Sequence, residues 1–212
     1  MPVLAAALRP RRLTASLGVP VRRESYAERR ERRAAVDDPA VVLEAAMRFL
    51  EARSRSVTEV LRRLTSAGYQ AALVEDAIAR LGDLGVLDDE AFARAWVESR
   101  DRARPRGERA LREELRLKGI DRSLVDLVLA ERRELGTTPD PDDAARPPDR
   151  LAAERLIERH ARVLDRIDDP RKRRDRAYAL LARNGFDPDT CRDVVAAVVS
   201  RGAEADVDQE AH

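Results

Sequence analysis

Leu111-Arg112-Glu113-Glu114-Leu115-Arg116-Leu117-Lys118-Gly119-Ile120-Asp121 decides how this chain folds. Leu111 and Leu115 are four apart and share one face of a helix, while charged residues fill the other face. Gly119 suits the left-handed position that stops a helix, because it has no Cβ to clash there. Ile120 follows as an apolar plug for the corner. Asp121 can cap a new helix, whose buried side is marked by Val125 and Leu129.

The same phrase occurs twice more, at Gly68-Tyr69 and Gly185-Phe186. Four residues before the three glycines stand Leu64, Leu115 and Leu181; eight before stand Val60, Leu111 and Ala177. Six after come Val74, Val125 and Cys191; ten after come Ile78, Leu129 and Val195. Ser56-Val57-Thr58-Glu59 is a capping box, and Asp38-Pro39, Asp169-Pro170 and Asp187-Pro188 each set a cap before a first-turn proline. An earlier helix precedes each pair, over about 39–53, 88–104 and 150–167. The spacing therefore predicts an all-α protein, an elongated and curved array of three tandem three-helix repeats at 39–86, 87–135 and 150–200. A unit this short is expected to complete its core by stacking on a neighbour. Residues 136–149, with Pro139, Pro141, Pro147 and Pro148, read as a linker or hinge between repeats two and three.

Composition narrows the function. The 212 residues hold 41 Lys+Arg and 40 Asp+Glu, a formal net charge of +1, and only 3% are aromatic. No stretch approaches the ~18 uncharged apolar residues of a membrane span. A β-sandwich or barrel would want more aromatic and β-branched residues. Cytoplasmic location and a monomer are expected. One cysteine excludes an internal disulfide, and Cys191, at the place of Val74 and Val125, reads as a small core residue. His160 reads as a structural histidine on its helix, and with His212 leaves little for metal or acid–base work. No phosphate loop, dinucleotide fingerprint or nucleophile–base set is present, so no enzyme, catalytic residue, cofactor or metal is expected.

Charge is unevenly laid out. Residues 1–38 read as a basic, disordered arm, and residues 201–212 as an acidic tail carrying Glu204, Asp206, Asp208 and Glu210. Arginines gather where the first helix of each repeat meets the second. Repeat one has Arg53, Arg55, Arg62 and Arg63. Repeat two has Arg100, Arg102, Arg104, Arg106, Arg109, Arg112 and Arg116. Repeat three has Arg162, Arg166, Arg171, Lys172, Arg173, Arg174 and Arg176. One such run is ordinarily a solvated helix face; three at equivalent places in stacked units would line up as a stripe for an acidic groove or a phosphate backbone. With no interleaved aromatics, any contact with single- or double-stranded DNA should be non-specific.

Two further clusters have a structural and a functional reading. Phe92 and Trp96 share a helical face, as core between repeats one and two or as an anchor for a partner. Asp88 reads as a helix cap with Asp89 and Glu90 favoured by the dipole; as a magnesium pair they lack a third ligand.

Leu87-Asp88-Asp89-Glu90-Ala91-Phe92-Ala93-Arg94-Ala95-Trp96-Val97-Glu98-Ser99-Arg100 resembles the signature of the RecX family, bacterial regulators of the RecA recombinase. Gly107 through Ile120 is similar to the family's following segment, which usually has Pro where this chain has Glu108 and often Ile where it has Leu111. The resemblance covers about residues 40–200, with Leu87, Asp88, Asp89, Phe92, Ala93, Trp96 and Gly119 as its structural signature. It implies a non-enzymatic protein that lodges in the groove of the RecA–DNA filament and limits recombinase and co-protease activity, tempering DNA repair and the SOS response. The alternative is a stand-alone, non-specific nucleic-acid-binding helical array. Partner contacts are expected at Arg100, Arg102, Arg104, Arg106, Arg109, Arg112, Arg116, Arg171, Lys172, Arg173 and Arg174.

Overall fold

Gly68, Gly119 and Gly185 all take positive φ, at 103°, 79° and 83°, and each ends a helix where the sequence places a stop. The computed structural model describes residues 24–135 and 146–197, and among them all regular structure is helical. Repeat one comprises α2 (Pro39–Glu51), α3 (Val57–Ala67) and α4 (Ala71–Asp83). Repeat two comprises α5 (Asp89–Ala103), α6 (Glu108–Leu117) and α7 (Arg122–Leu135); repeat three comprises α8 (Pro148–Leu164), α9 (Pro170–Arg183) and α10, whose described part is 188–197. Caps fix the starts. Ser56 and Glu59 form the reciprocal capping box of α3. Asp88 accepts from the N–H groups of Glu90 and Ala91 at 2.8 and 2.9 Å, and Asp169 from those of Arg171 and Lys172.

Before repeat one stands a further helix, α1 (Tyr26–Ala34), inside the stretch expected to be a disordered arm. Its cause is a second capping box, Ser25 with Glu28, and the ion pair of Arg32 with Glu24 at 2.9 Å. Residues 1–23 of that arm lie outside the described residues, as do the acidic tail 201–212 and most of the Pro-rich insert.

Each repeat has its own cluster of buried residues, and the neighbouring repeat adds to the first of them. Val42, Ala46, Val60, Leu64, Val74, Ala77 and Leu81 bury together with Leu87, which reaches back from the start of repeat two. Phe92, Ala93, Val97, Leu111, Leu115, Ile120, Val125, Val128 and Leu129 form the second cluster. Ala152, Leu156, Ile157, Leu181, Phe186, Cys191 and Val194 belong to the third. Each fully buried Leu or Phe contributes about 1.5–3 kcal/mol.

The junctions between repeats are polar instead. Ser56 Oγ donates to the Lys118 carbonyl at 2.6 Å, Thr58 Oγ1 to the Gly119 carbonyl at 3.2 Å, and Lys118 Nζ to Glu59 at 2.7 Å. Asp89 accepts from the Val57 N–H at 2.9 Å, and burial raises its pKa. The corner of repeat two thus sits on the N-terminal end of α3. One repeat further on, Gly107 N–H donates to the Asn184 carbonyl at 3.0 Å and Arg106 bonds the Asn184 side chain. The corner of repeat three sits on the N-terminal end of α6. At the other end, α1 meets the corner of repeat one: Tyr26 Oη donates to the Ser66 carbonyl at 3.0 Å, and Gln70 Nε2 to the Ala34 and Val36 carbonyls. No hydrogen bond among the described residues joins repeat one to repeat three, so the units form a row. The expected hinge meets a fixed junction. Arg132, its side chain only 6% exposed, binds Asp101 at 2.8 Å and Asp149 at 2.5 Å, and Asp149 also accepts from the Glu108 N–H.

Candidate partner interface

In repeat two, most arginines of the anticipated stripe are neutralised from within. Arg100 Nε binds Glu114 at 2.6 Å, and Arg106 approaches the same carboxylate at 3.4 Å. Arg102 pairs with Glu98, Arg112 with Asp126 and Glu108, and Arg116 with Glu113. The Asp126 and Glu113 carboxylates raise the pKa of Arg112 and Arg116, and are themselves lowered by those guanidinium groups. Arg53 and Arg55 face Glu59, and Arg55 and Arg63 lie over the Phe49 ring. Arg173 donates to the Ile167 carbonyl, and Lys172 approaches Asp169 at 3.8 Å. A neutralised pair projects little field. Of the residues anticipated as partner contacts, Arg104, Arg109, Arg171 and Arg174 are exposed with no carboxylate within 4.0 Å among the described residues.

The structure adds Arg155 and Arg159 to the expected Arg162 and Arg166 and makes a row of the four. Arg155, Arg159 and Arg162 lie on α8, with Arg166 just past its end; the steps of four, three and four residues put them on one face. Arg155 donates to the Asp101 carbonyl at 3.1 Å, and Arg159 to the Arg102 carbonyl at 3.0 Å and the Ala103 carbonyl. These bonds anchor the side chains on the C-terminal end of α5, where free carbonyls welcome cations, yet cancel no charge. A basic tract therefore runs from Arg104 at the α5–α6 corner along α8 towards Arg171 and Arg174 at the start of α9. The spacing of arginines on the predicted third-repeat helix was the signal available in sequence; Arg155 and Arg159 lie too early in that helix to count as corner residues.

Trp96 packs at the edge of the second core, where repeat two meets repeat one, and is half-buried rather than enclosed. Phe92 is buried, and its ring stacks on Trp96 at 5.8 Å. Trp96 itself is half-buried: Nε1 donates to Glu114 at 2.8 Å, and Arg100 and Lys118 stand over the indole at 4.2 and 4.8 Å. Since Lys118 also binds Glu59, the single tryptophan is the second layer of the junction with repeat one. The signature residues thus serve architecture: Leu87 fills the first core, Asp88 caps α5, Asp89 caps α3 across the junction, and Ala93 is buried in the second core. Gly119 is forced by contact as well as φ, because a Cβ there would lie 2.4 Å from Thr58 Oγ1. Cys191 is buried and its thiol pKa is pushed up by burial, which suppresses the thiolate. His160 Nδ1 lies 2.9 Å from the Leu156 carbonyl on its own helix. Among the described residues, no group of three His, Cys, Asp or Glu side chains is placed to hold a metal, and no helix is long and apolar enough to cross a membrane.

Comparison with known proteins agrees with this architecture. Residues 43–81 match the family model of the RecX first three-helix domain, and residues 88–129 that of the second. The regulatory protein RecX of Mycobacterium sp. (strain KMS) is 37% identical over 152 residues, covering 70% of this chain and 76% of its own. That of Mycobacterium leprae (strain Br4923) is 36% identical over 158 residues, covering 74% and 85%. The crystal structure of RecX from Lactobacillus salivarius superposes with a TM-score of 0.61 at 21% identity, over 76% of this chain and 96% of that one. Two matched domains, relatives of this likeness over most of their length and a shared helical fold lead to one conclusion: the chain belongs to the RecX family of regulatory proteins.

Proposed function

We propose that this protein is a non-enzymatic regulator that binds the RecA–DNA filament and negatively modulates its recombinase and co-protease activities, as is implied for the RecX family. The observation that carries the surface assignment is the α8 row: Arg155, Arg159, Arg162 and Arg166 retain their charge, and two are held in place by backbone carbonyls. From Arg155 to Arg166 the rise is about 16 Å, enough to follow about five phosphates at ~3.4 Å spacing along one strand, or an acidic groove of similar length. Arg104, Arg109, Arg171 and Arg174 extend this surface. Several weak contacts on one row of rigid repeats act together at high effective concentration. Counterion release makes such binding fall steeply with salt.

The test is RecA-dependent ATP hydrolysis on single-stranded DNA, with strand exchange and repressor cleavage alongside, at micromolar protein in low salt. Inhibition is expected; no change in any of the three would remove the reading. The same tract supports a second reading, nucleic-acid binding without the recombinase. That reading requires salt-sensitive affinity for bare DNA equal to the affinity for filaments.

A further inference from the structure

The three glycine corners of the row are covered in one way. Gly119 lies against Thr58, near the start of α3, and Gly185 against Ala110, near the start of α6. Gly68 lies against Arg30 of α1, and a Cβ on it would come within 2.5 Å of Arg30 Cγ. On repeat one, α1 thus takes the place that the second helix of a preceding repeat takes on the other two corners. Its grip is superficial. No residue of α1 is buried, and none belongs to a core cluster. It is held by the Tyr26 and Gln70 hydrogen bonds, by an Arg33 bond to the Ala67 carbonyl at 3.4 Å, and by the Arg33 guanidinium 5.7 Å from the Tyr69 ring centre.

Among the described residues no corner is seated on the start of α9, the second helix of repeat three. That start is chemically like α1: Arg29-Arg30-Glu31-Arg32-Arg33 in one is matched by Arg171-Lys172-Arg173-Arg174-Asp175 in the other, where Asp169 is the cap. Thr58 and Ala110 stand two and three residues after the caps Ser56 and Gly107; Arg171 and Lys172 stand at those places after Asp169. The stem of Arg30 shows that the corner of repeat one accepts a long basic side chain, and the last carbonyls of α3 there favour cations. The row therefore has two complementary ends. We propose that α1 is a cap that stops the row from running on into a second copy of this chain, and that with α1 displaced the corner of repeat one seats on the start of α9 of another molecule. The contact is head-to-tail, so it can add copies one after another instead of closing a symmetric pair. Repeat arrays commonly need such a terminal cap over their outer face. The inference goes beyond the RecA reading and does not depend on it.

Sedimentation velocity of the full chain tests it. The parent should sediment as one chain at every concentration. Arg30→Pro breaks α1 at its middle without touching a core residue, and should give a mass that rises with concentration. Tyr26→Ala with Gln70→Ala keeps the helix, removes three of its bonds and should do the same. Adding Arg171→Glu and Lys172→Glu to Arg30→Pro should return single chains with helicity retained, because acidic residues suit a helix start. That triple variant has an open corner but a blocked α9, so mixed with the parent it should form one-to-one pairs and nothing larger. Single chains for both cap variants, a parent that already associates, association that survives the α9 charge reversal, or absence of the mixed pair would overturn the proposal. So would loss of the three-repeat fold in Arg30→Pro, since α1 would then be part of the fold and not a cap over it.

Discussion

Gly107→Ala is the sharpest probe of how the repeats are joined. Gly107 has φ −74° and ψ 161°, extended backbone open to any residue, so a methyl group there meets no intrinsic backbone strain. Its obstacle is the neighbouring unit. A Cβ on Gly107 would lie 2.4 Å from the carbonyl carbon and oxygen of Gly185 and from the nitrogen of Phe186, all main-chain atoms with no rotamer to change. Ordinary contact begins about 1 Å further out, so the corner of repeat three must lift off α6. Overpacking of this kind costs about 1–3 kcal/mol. Loss of the Gly107 N–H bond to the Asn184 carbonyl adds about 0.5–1.5 kcal/mol. The sum, about 1.5–4.5 kcal/mol, should appear in urea unfolding followed by far-ultraviolet circular dichroism. It should also split the transition, since uncoupled repeats unfold separately. Gly82→Ala is the control: it meets nothing within 4 Å, lies inside α4, and should gain up to about 1 kcal/mol. If Gly107→Ala unfolds within about 0.5 kcal/mol of the parent, in one transition, the docking of corner on helix end is wrong.

Other perturbations address the remaining polar contacts. Arg132→Met leaves Asp101 and Asp149 facing each other without their cation and should cost about 3–5 kcal/mol in the same unfolding assay. Asp89→Asn keeps an acceptor for the Val57 N–H. Burial raises the folded pKa of Asp89, so its stabilising contribution is fullest below the unfolded pKa and is lost as pH rises through the folded value. The melting temperature of the parent minus that of Asp89→Asn should therefore increase as pH falls through the acid range, whereas Asp89→Ala should be less stable than Asp89→Asn throughout. Ser56→Ala removes both the α3 cap and the bond to the Lys118 carbonyl. It should lower stability by about 1–3 kcal/mol and shift the emission of Trp96, which Lys118 covers.

The row of repeats was legible because its signals are local. Leu64, Leu115 and Leu181 stand at one distance from three glycines, and short-range capping by Ser56, Asp88 and Asp169 needs no tertiary partner. The α1 helix was equally legible from Ser25 and Glu28, but the surrounding arginines read as an arm. What failed was any inference that depends on which charges meet. Arg112 and Asp126 are 14 residues apart, and Arg100 meets Glu114 across the α5–α6 corner; a balanced composition conceals such pairing. The junctions hid for a related reason: their acceptors are backbone carbonyls of Lys118, Gly119 and Asn184, and a sequence does not display them. Trp96 was legible as packed against the core, but not as a platform for Arg100 and Lys118, which sequence spacing does not display.

Co-sedimentation with RecA filaments on single-stranded DNA weighs free arginines against neutralised ones. Arg155, Arg159, Arg162 and Arg166 changed together to Gln lose four positive charges that no carboxylate cancels, while Arg94, Arg102, Arg112 and Arg116 changed to Gln lose four that are already paired. The net charge change is the same. The first variant should leave the pellet and lose its salt dependence while keeping its helicity, and the second should sediment as the parent does. Equal retention of both variants, or release of only the second, would contradict the assignment of the α8 row as the surface that meets the filament.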